Sequence, residues 1–185
     1  MIEPRTIAQG MVAAGHAATA DAGAAILRAG GNAVDAAVAA LSTSFTAEPV
    51  LTAAGGGGFM LVANSKGQSQ LYDGFARMPS AADKLILSPV TAAGLKGVPI
   101  DFGDTVQTFH IGQASVGTPS LLAMLFKAHQ KHGRIPLKDA LAPGIDAARS
   151  GIRLNALQGS FIALLQPILS STEQCKGLYA PLGEL

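Results

Sequence analysis

One cysteine, no tryptophan and two tyrosines in 185 residues remove several classes of function at the outset. The lone Cys175 excludes an internal disulfide and leaves the redox compartment open. Charged residues make up only 14% of the chain, and the net charge is +1, with Lys and Arg scattered singly. With no basic stripe and so few aromatic rings, the chain lacks both the electrostatic footprint and the stacking platform of a nucleic-acid binder. No apolar run approaches the ~18 residues of a membrane-spanning helix. Met1-Ile2-Glu3-Pro4-Arg5 places an acid and a proline where a secretion signal needs a charged head and an apolar stretch. The expectation is a soluble, cytoplasmic chain that meets neither nucleic acid nor membrane.

Apolar residues reach 49%, a figure inflated by alanine and glycine. The length suits a single domain able to bury roughly 70% of its unfolded surface. A surface this poor in charge is awkward for a free-standing monomer, and it fits a chain that something else covers.

Met11–Ala14 reads as a short strand running into a turn at Gly15-His16. Residues 18–29 form an alanine-rich helix, stopped by Gly30-Gly31. Asn32 caps the next helix, with Asp35 adding negative charge in its first turn. Val34, Val38, Leu41 and Phe45 make its apolar face. Phe59–Ala63 reads as a strand, Asn64-Ser65-Lys66-Gly67 as a hairpin turn, and Gln70–Tyr72 as the returning strand. Residues 79–105 read as a long surface loop, and Val106–Ile111 as a further strand. Helices follow: one capped at Thr118 with Pro119 in its first position and stopped by Gly133, one over Leu137–Ser150 containing Pro143, and one over Asn155–Leu169. Strands grouped ahead of a run of helices point to an α+β fold rather than a doubly wound sheet.

Gly55, Gly56, Gly57 and Gly58 invite a phosphate-loop reading, which fails because the run leads into a strand and not into a helix N-terminus. Backbone crowding or a buried turn explains these glycines better. His129 and His132, three apart on a helix, have no carboxylate or cysteine at a matching offset and read as a solvated helix end. His16 and His110 stand singly, as structural histidines usually do. No Gly-x-Ser-x-Gly elbow is present, and Thr108-Phe109-His110 is an ordinary strand segment. Nothing in these patterns calls for a metal or a cofactor.

Ala13-Ala14-Gly15-His16, the run Leu27-Arg28-Ala29-Gly30-Gly31-Asn32-Ala33-Val34-Asp35-Ala36-Ala37-Val38-Ala39, and Gly55 to Met60 followed by Leu-Val resemble the opening of the γ-glutamyltransferase family. The likeness continues through Ser115-Val116-Gly117-Thr118-Pro119, Gly133 to Leu137 and Ala142-Pro143 to Tyr179-Ala180-Pro181. It implies an N-terminal-nucleophile hydrolase fold, an αββα sandwich, of which residues 1–185 would be a single incomplete domain at the start of the large subunit. It also implies a self-cleaving precursor whose freed threonine attacks γ-glutamyl or related acyl amides, as in glutathione metabolism, with its own amine as base. That threonine would lie beyond residue 185, so the chain alone is expected to be inactive and to need the rest of the large subunit and the small subunit. The alternative is a truncated, non-enzymatic module that binds a small ligand or takes part in an assembly.

One substrate residue of the family would fall within the chain: an arginine for the donor's α-carboxylate, in an Asp-x-Arg-Glu-x-x-Pro setting. Aligning on Asp73 and Pro79 puts Phe75 at the arginine position and Ala76 at the glutamate position. Phenylalanine cannot make the paired charge-assisted bonds an arginine offers a carboxylate. Arg77, two residues on, would share its face in an extended strand and is the candidate substitute. With the loop Gly55 to Gly58, these residues are the candidate site, and Phe75 implies a branch whose donor differs from glutathione.

Overall fold

A computed structural model describes residues 10–78 and 94–183. The chain is mixed α/β and divides into two compact units, one of Met1–Ala76 with Pro119–Leu154, the other of Arg77–Thr118 with Asn155–Leu185.

In the first unit, α1 (Ala17–Arg28) and α2 (Ala33–Ala47) pack as a hairpin. The join works because Gly30 adopts φ 91°, a left-handed turn that costs glycine little. Asn32 then accepts from the Val34 and Asp35 amides while Asp35 accepts from the Asn32 amide, a reciprocal capping box. β1 (Phe59–Ala63) and β2 (Ser69–Asp73) form an antiparallel hairpin in the register Phe59↔Asp73, Leu61↔Leu71, Ala63↔Ser69. The Asn64 side chain holds its turn by accepting from the Lys66 and Gln68 amides. α3 (Leu121–His132) and α4 (Leu137–Ser150) complete the unit. Tyr72, Leu121, Met124 and Ala128 join the hairpin's inner face to α3, with Met60, Val62, Leu41 and Phe45 packed around them. Val38, Leu125 and Ala140 join α2, α3 and α4.

The second unit contains the antiparallel pair β3 (Lys96–Asp101) and β4 (Val106–Ile111), and the helices α5 (Ala156–Leu164), α6 (Gln166–Leu169) and α7 (Glu173–Tyr179). Val98 and Ile100 of β3 and Leu169 of α6 are its buried apolar residues. Asn155 and Gln158 cap α5 reciprocally, and Gln158 is buried.

Several elements depart from the sequence reading. Met11–Ala14 pairs with no strand among the described residues, since an apolar run becomes a strand only where a partner supplies the ladder. Part of the expected loop over 79–105 is β3, hidden because Pro99 and Gly97 mask its alternation; residues 79–93 lie outside the described residues. The helix expected from Thr118 begins at Leu121, because the Thr118 backbone is engaged in a bridge with Arg77. The single helix expected over Asn155–Leu169 is two, since Leu165 closes α5 before Pro167 begins a new turn. α7 was not foreseen; Thr172 caps it by accepting from the Cys175 amide.

Candidate functional site

The open end of the β1–β2 hairpin gathers most of the residues singled out above. Past the Phe59↔Asp73 pair, Gly58 and Gly74 exchange backbone bonds, the Gly58 amide to Gly74 at 3.2 Å and the Gly74 amide to Gly58 at 2.9 Å. The glycine loop is thus the continuation of β1. Gly57 runs directly against the facing chain: a β-carbon there would fall 2.6 Å from the Ala76 nitrogen and 3.2 Å from Phe75 Cα. Gly56 turns back to donate to the Ala53 carbonyl, and Gly55 has open space where a side chain would go. Backbone crowding, one of the two readings the sequence offered beside a buried turn, applies to Gly57 and not to Gly55.

Opposite the loop, Asp73 Oδ1 accepts from the Phe75 amide at 2.9 Å, a local turn that ends the strand. Phe75 is 56% exposed, and its ring stacks on Phe59, centroids 5.6 Å apart and planes 11° from parallel. Stacked rings of this kind offer an apolar face and a π-edge, and no charge. Arg77 belongs to the second unit, where its amide donates to Thr118 and its carbonyl accepts from the Thr118 amide, at 3.0 and 2.7 Å. β2 ends at Asp73, short of both Phe75 and Arg77.

A second constellation lies at the junction of α2 and α3, and sequence reasoning missed it. Asp35 is fully buried; it accepts from the Asn32 amide at 2.8 Å and, on both oxygens, from the Arg134 amide at 3.1 Å. His129 Nε2 sits 3.1 Å from Asp35 Oδ1 at ion-pair distance, without the alignment of a hydrogen bond. Asn32 Nδ2 donates to the His132 carbonyl at 2.6 Å, and the His132 ring meets the Tyr72 hydroxyl at 2.8 Å. His129 and His132 are therefore not a solvated helix end: one is buried against a carboxylate, the other ties α3 to β2. The signal available was the Gly-Gly-Asn-Ala-Val-Asp run itself, which specified the cap but not its distant partners.

His16 caps α1 by accepting from the Ala18 amide, the structural role expected of a lone histidine. Thr108-Phe109-His110 lies within β4. Among the described residues, no three His, Cys, Asp or Glu side chains are placed to share a metal, and no helix is long and apolar enough to cross a membrane.

Comparison with known proteins adds a separate line of evidence. The gamma-glutamyltranspeptidase family model matches residues 19–185. The chain is 33% identical to the glutathione hydrolase proenzyme of Bacillus subtilis (strain 168) over 176 residues, which is 95% of this chain and 28% of that protein. It is 32% identical to the acylase ACY 1 proenzyme of Pseudomonas sp. (strain V22) over 153 residues, 80% of this chain and 26% of that one. Its fold matches the gamma-glutamyltranspeptidase from Pseudomonas nitroreducens complexed with L-DON, with a TM-score of 0.69 and 28% identity, over 90% of this chain and 47% of that chain. The chain thus spans less than a third of the curated relatives it matches.

Proposed function

The chain belongs to the gamma-glutamyltranspeptidase family and carries part of its N-terminal-nucleophile hydrolase fold, and from that premise we propose that it is the opening portion of an enzyme that transfers or hydrolyses γ-glutamyl or related acyl amides. The reading rests on the unbroken family match over residues 19–185. Residues 1–185 are inactive by themselves on this reading, because amide cleavage through an acyl intermediate needs an activated nucleophile, and the described residues that form the hairpin end, Gly55 to Phe59 and Asp73 to Phe75, include no Ser, Thr or Cys. The remaining part of the large subunit and a small subunit would supply it.

The state of the β1–β2 hairpin supports the reading. Both of its edges lack a further strand among the described residues, and its outward face is exposed, as a sandwich deprived of its other layers would be. The test is direct. The purified 185-residue chain should release no nitroaniline from γ-glutamyl-p-nitroanilide above background, and turnover would overturn the proposal. The same chain, placed in one polypeptide with the portion of the Bacillus subtilis relative outside the match, should gain amide-cleaving activity.

Phe75 sets the donor in this proposal. An exposed ring stacked on Phe59 favours a planar or apolar acyl end over one bearing an α-carboxylate. In the joined polypeptide, Phe75→Arg should raise kcat/KM for γ-glutamyl-p-nitroanilide about tenfold or more relative to an aromatic acyl anilide, the worth of one charge-assisted bond. An unchanged ratio would remove Phe75 from donor selection.

A further inference from the structure

Val50 alone, outside glycine, holds a positive φ among the described residues, at 65°. A β-branched side chain in that region crowds its own backbone, and the conformation persists only where surrounding contacts impose it. Helix ends ordinarily place glycine or asparagine at a left-handed position, so a valine just past α2 is not the default choice. Glu48 supplies the imposing contacts. Its carbonyl accepts from the Leu51 amide at 3.2 Å and the Thr52 amide at 3.0 Å, which closes the chain over Val50. Thr52 Oγ1 donates to the Ser44 carbonyl at 2.8 Å and ties the turn back to α2. The Glu48 side chain is fixed in its turn. Thr19 of α1 donates to its Oε1 at 2.7 Å, both side chains are buried, and a β-carbon on Gly15 would overlap its Oε2.

The turn leads directly to the glycine loop. Five residues separate Thr52 from Gly57, whose backbone lies against Phe75 and Ala76, and Gly58 then exchanges bonds with Gly74. Gly55, between the two, has open space around it, so the course of the loop is set at its ends. We propose that Thr19 and Glu48 form a latch that holds Val50 in its left-handed turn and thereby positions the glycine loop against the Phe75 backbone. Thr19, Glu48 and Val50 are on this account positioning residues for donor selection. The inference rests on the function proposed above and deepens it, because the backbone that carries the Phe75 ring is braced by Gly57.

Amide exchange with a second-site rescue tests it. In the 185-residue chain, Thr19→Val keeps the branched shape and removes the hydroxyl. Exchange at the Gly58 and Gly74 amides should then quicken about tenfold or more, while the Asn64 amide at the hairpin's far end, bonded to the Gln68 carbonyl, is unchanged. Adding Val50→Gly should return both rates to within about threefold of the original, because glycine holds a positive φ without a latch. A loop unaffected by Thr19→Val, an acceleration that Val50→Gly leaves in place, or one shared equally by Asn64 overturns the proposal. Should Thr19→Val fail to fold, Val50→Gly alone decides. Relief of strain should raise Tm by about 2–4 °C, and an unchanged or lower Tm overturns the latch. Donor choice is a separate readout, taken in the joined polypeptide. Thr19→Val should lower the kcat/KM preference for an aromatic acyl anilide over γ-glutamyl-p-nitroanilide about threefold or more, and Val50→Gly should restore it. A rescued loop in a joined protein that cleaves neither substrate leaves the latch standing and refutes the enzymatic reading. Turnover with a preference unmoved by Thr19→Val leaves that reading standing and overturns the positioning role.

Discussion

Asp35 concentrates more structure than any other side chain described. A carboxylate with no exposed surface must have its lone pairs occupied, and the Asn32 and Arg134 amides do this while His129 supplies a facing ring. Asp35→Ala leaves those amides without acceptors in the interior and should cost about 3–5 kcal/mol in urea unfolding, the scale for breaking a buried charged contact. Asn32→Ala removes the cap and the bond to the His132 carbonyl, and should cost about 1–2 kcal/mol. The glycine loop gives a matched comparison at the same scale. Gly57→Ala drives a methyl into the Phe75–Ala76 backbone and should cost about 1–3 kcal/mol. Gly55→Ala meets nothing and should leave stability within ~0.5 kcal/mol. Asp35 was legible as a first-turn acid, because that depends on a three-residue spacing. Its contacts with His129 and Arg134 were not, because they join residues about a hundred positions apart that only the packing of α3 on α2 brings together.

Among the elements, α2 and α4 approach each other closely enough to exclude a side chain. A β-carbon on Gly144 would overlap the Ser42 Oγ and lie 2.7 Å from Ser42 Cβ. Gly144→Ala should therefore separate the two helices at a cost of about 1–3 kcal/mol in unfolding free energy. Gly159, within α5, has open space at the same position. Gly159→Ala should instead stabilise by about 0.5–1 kcal/mol, through helix propensity alone. On α7, the Glu173 carboxyl is held below its ordinary value, first by the hydrogen bond from Lys176 and then by that ammonium's charge. A lowered folded value means that this contact helps the helix above the usual glutamate range and is lost as pH falls through the folded value. A Lys176→Gln substitution should move the Glu173 titration, followed by NMR, back upward. The helices α2 and α4 read faithfully from sequence because their boundaries are set by adjacent residues, the Asn32 cap for α2 and Pro136 and Gly151 flanking α4. The strand β3 was missed because its pairing with β4, and not its composition, makes it a strand.

At the scale of the molecule, low charge, an apolar outward hairpin face and a match to less than a third of the relatives' length are the observations that support the proposed function. Inactivity of the 185-residue chain, and gain of activity on joining it to the portion of the Bacillus subtilis relative outside the match, are the two outcomes that the proposed function requires together. The residues alone determined family membership, the capping of α2 and the hairpin turn at Asn64, because each depends on side chains within a few positions of one another. Tertiary structure decided the rest. It placed Gly57 against Phe75, stacked Phe75 on Phe59, and turned His129 and His132 inward. It also left Leu61 and Leu71 without cover. Such contacts belong to pairs of surfaces, and a linear pattern specifies each surface without specifying what it will meet.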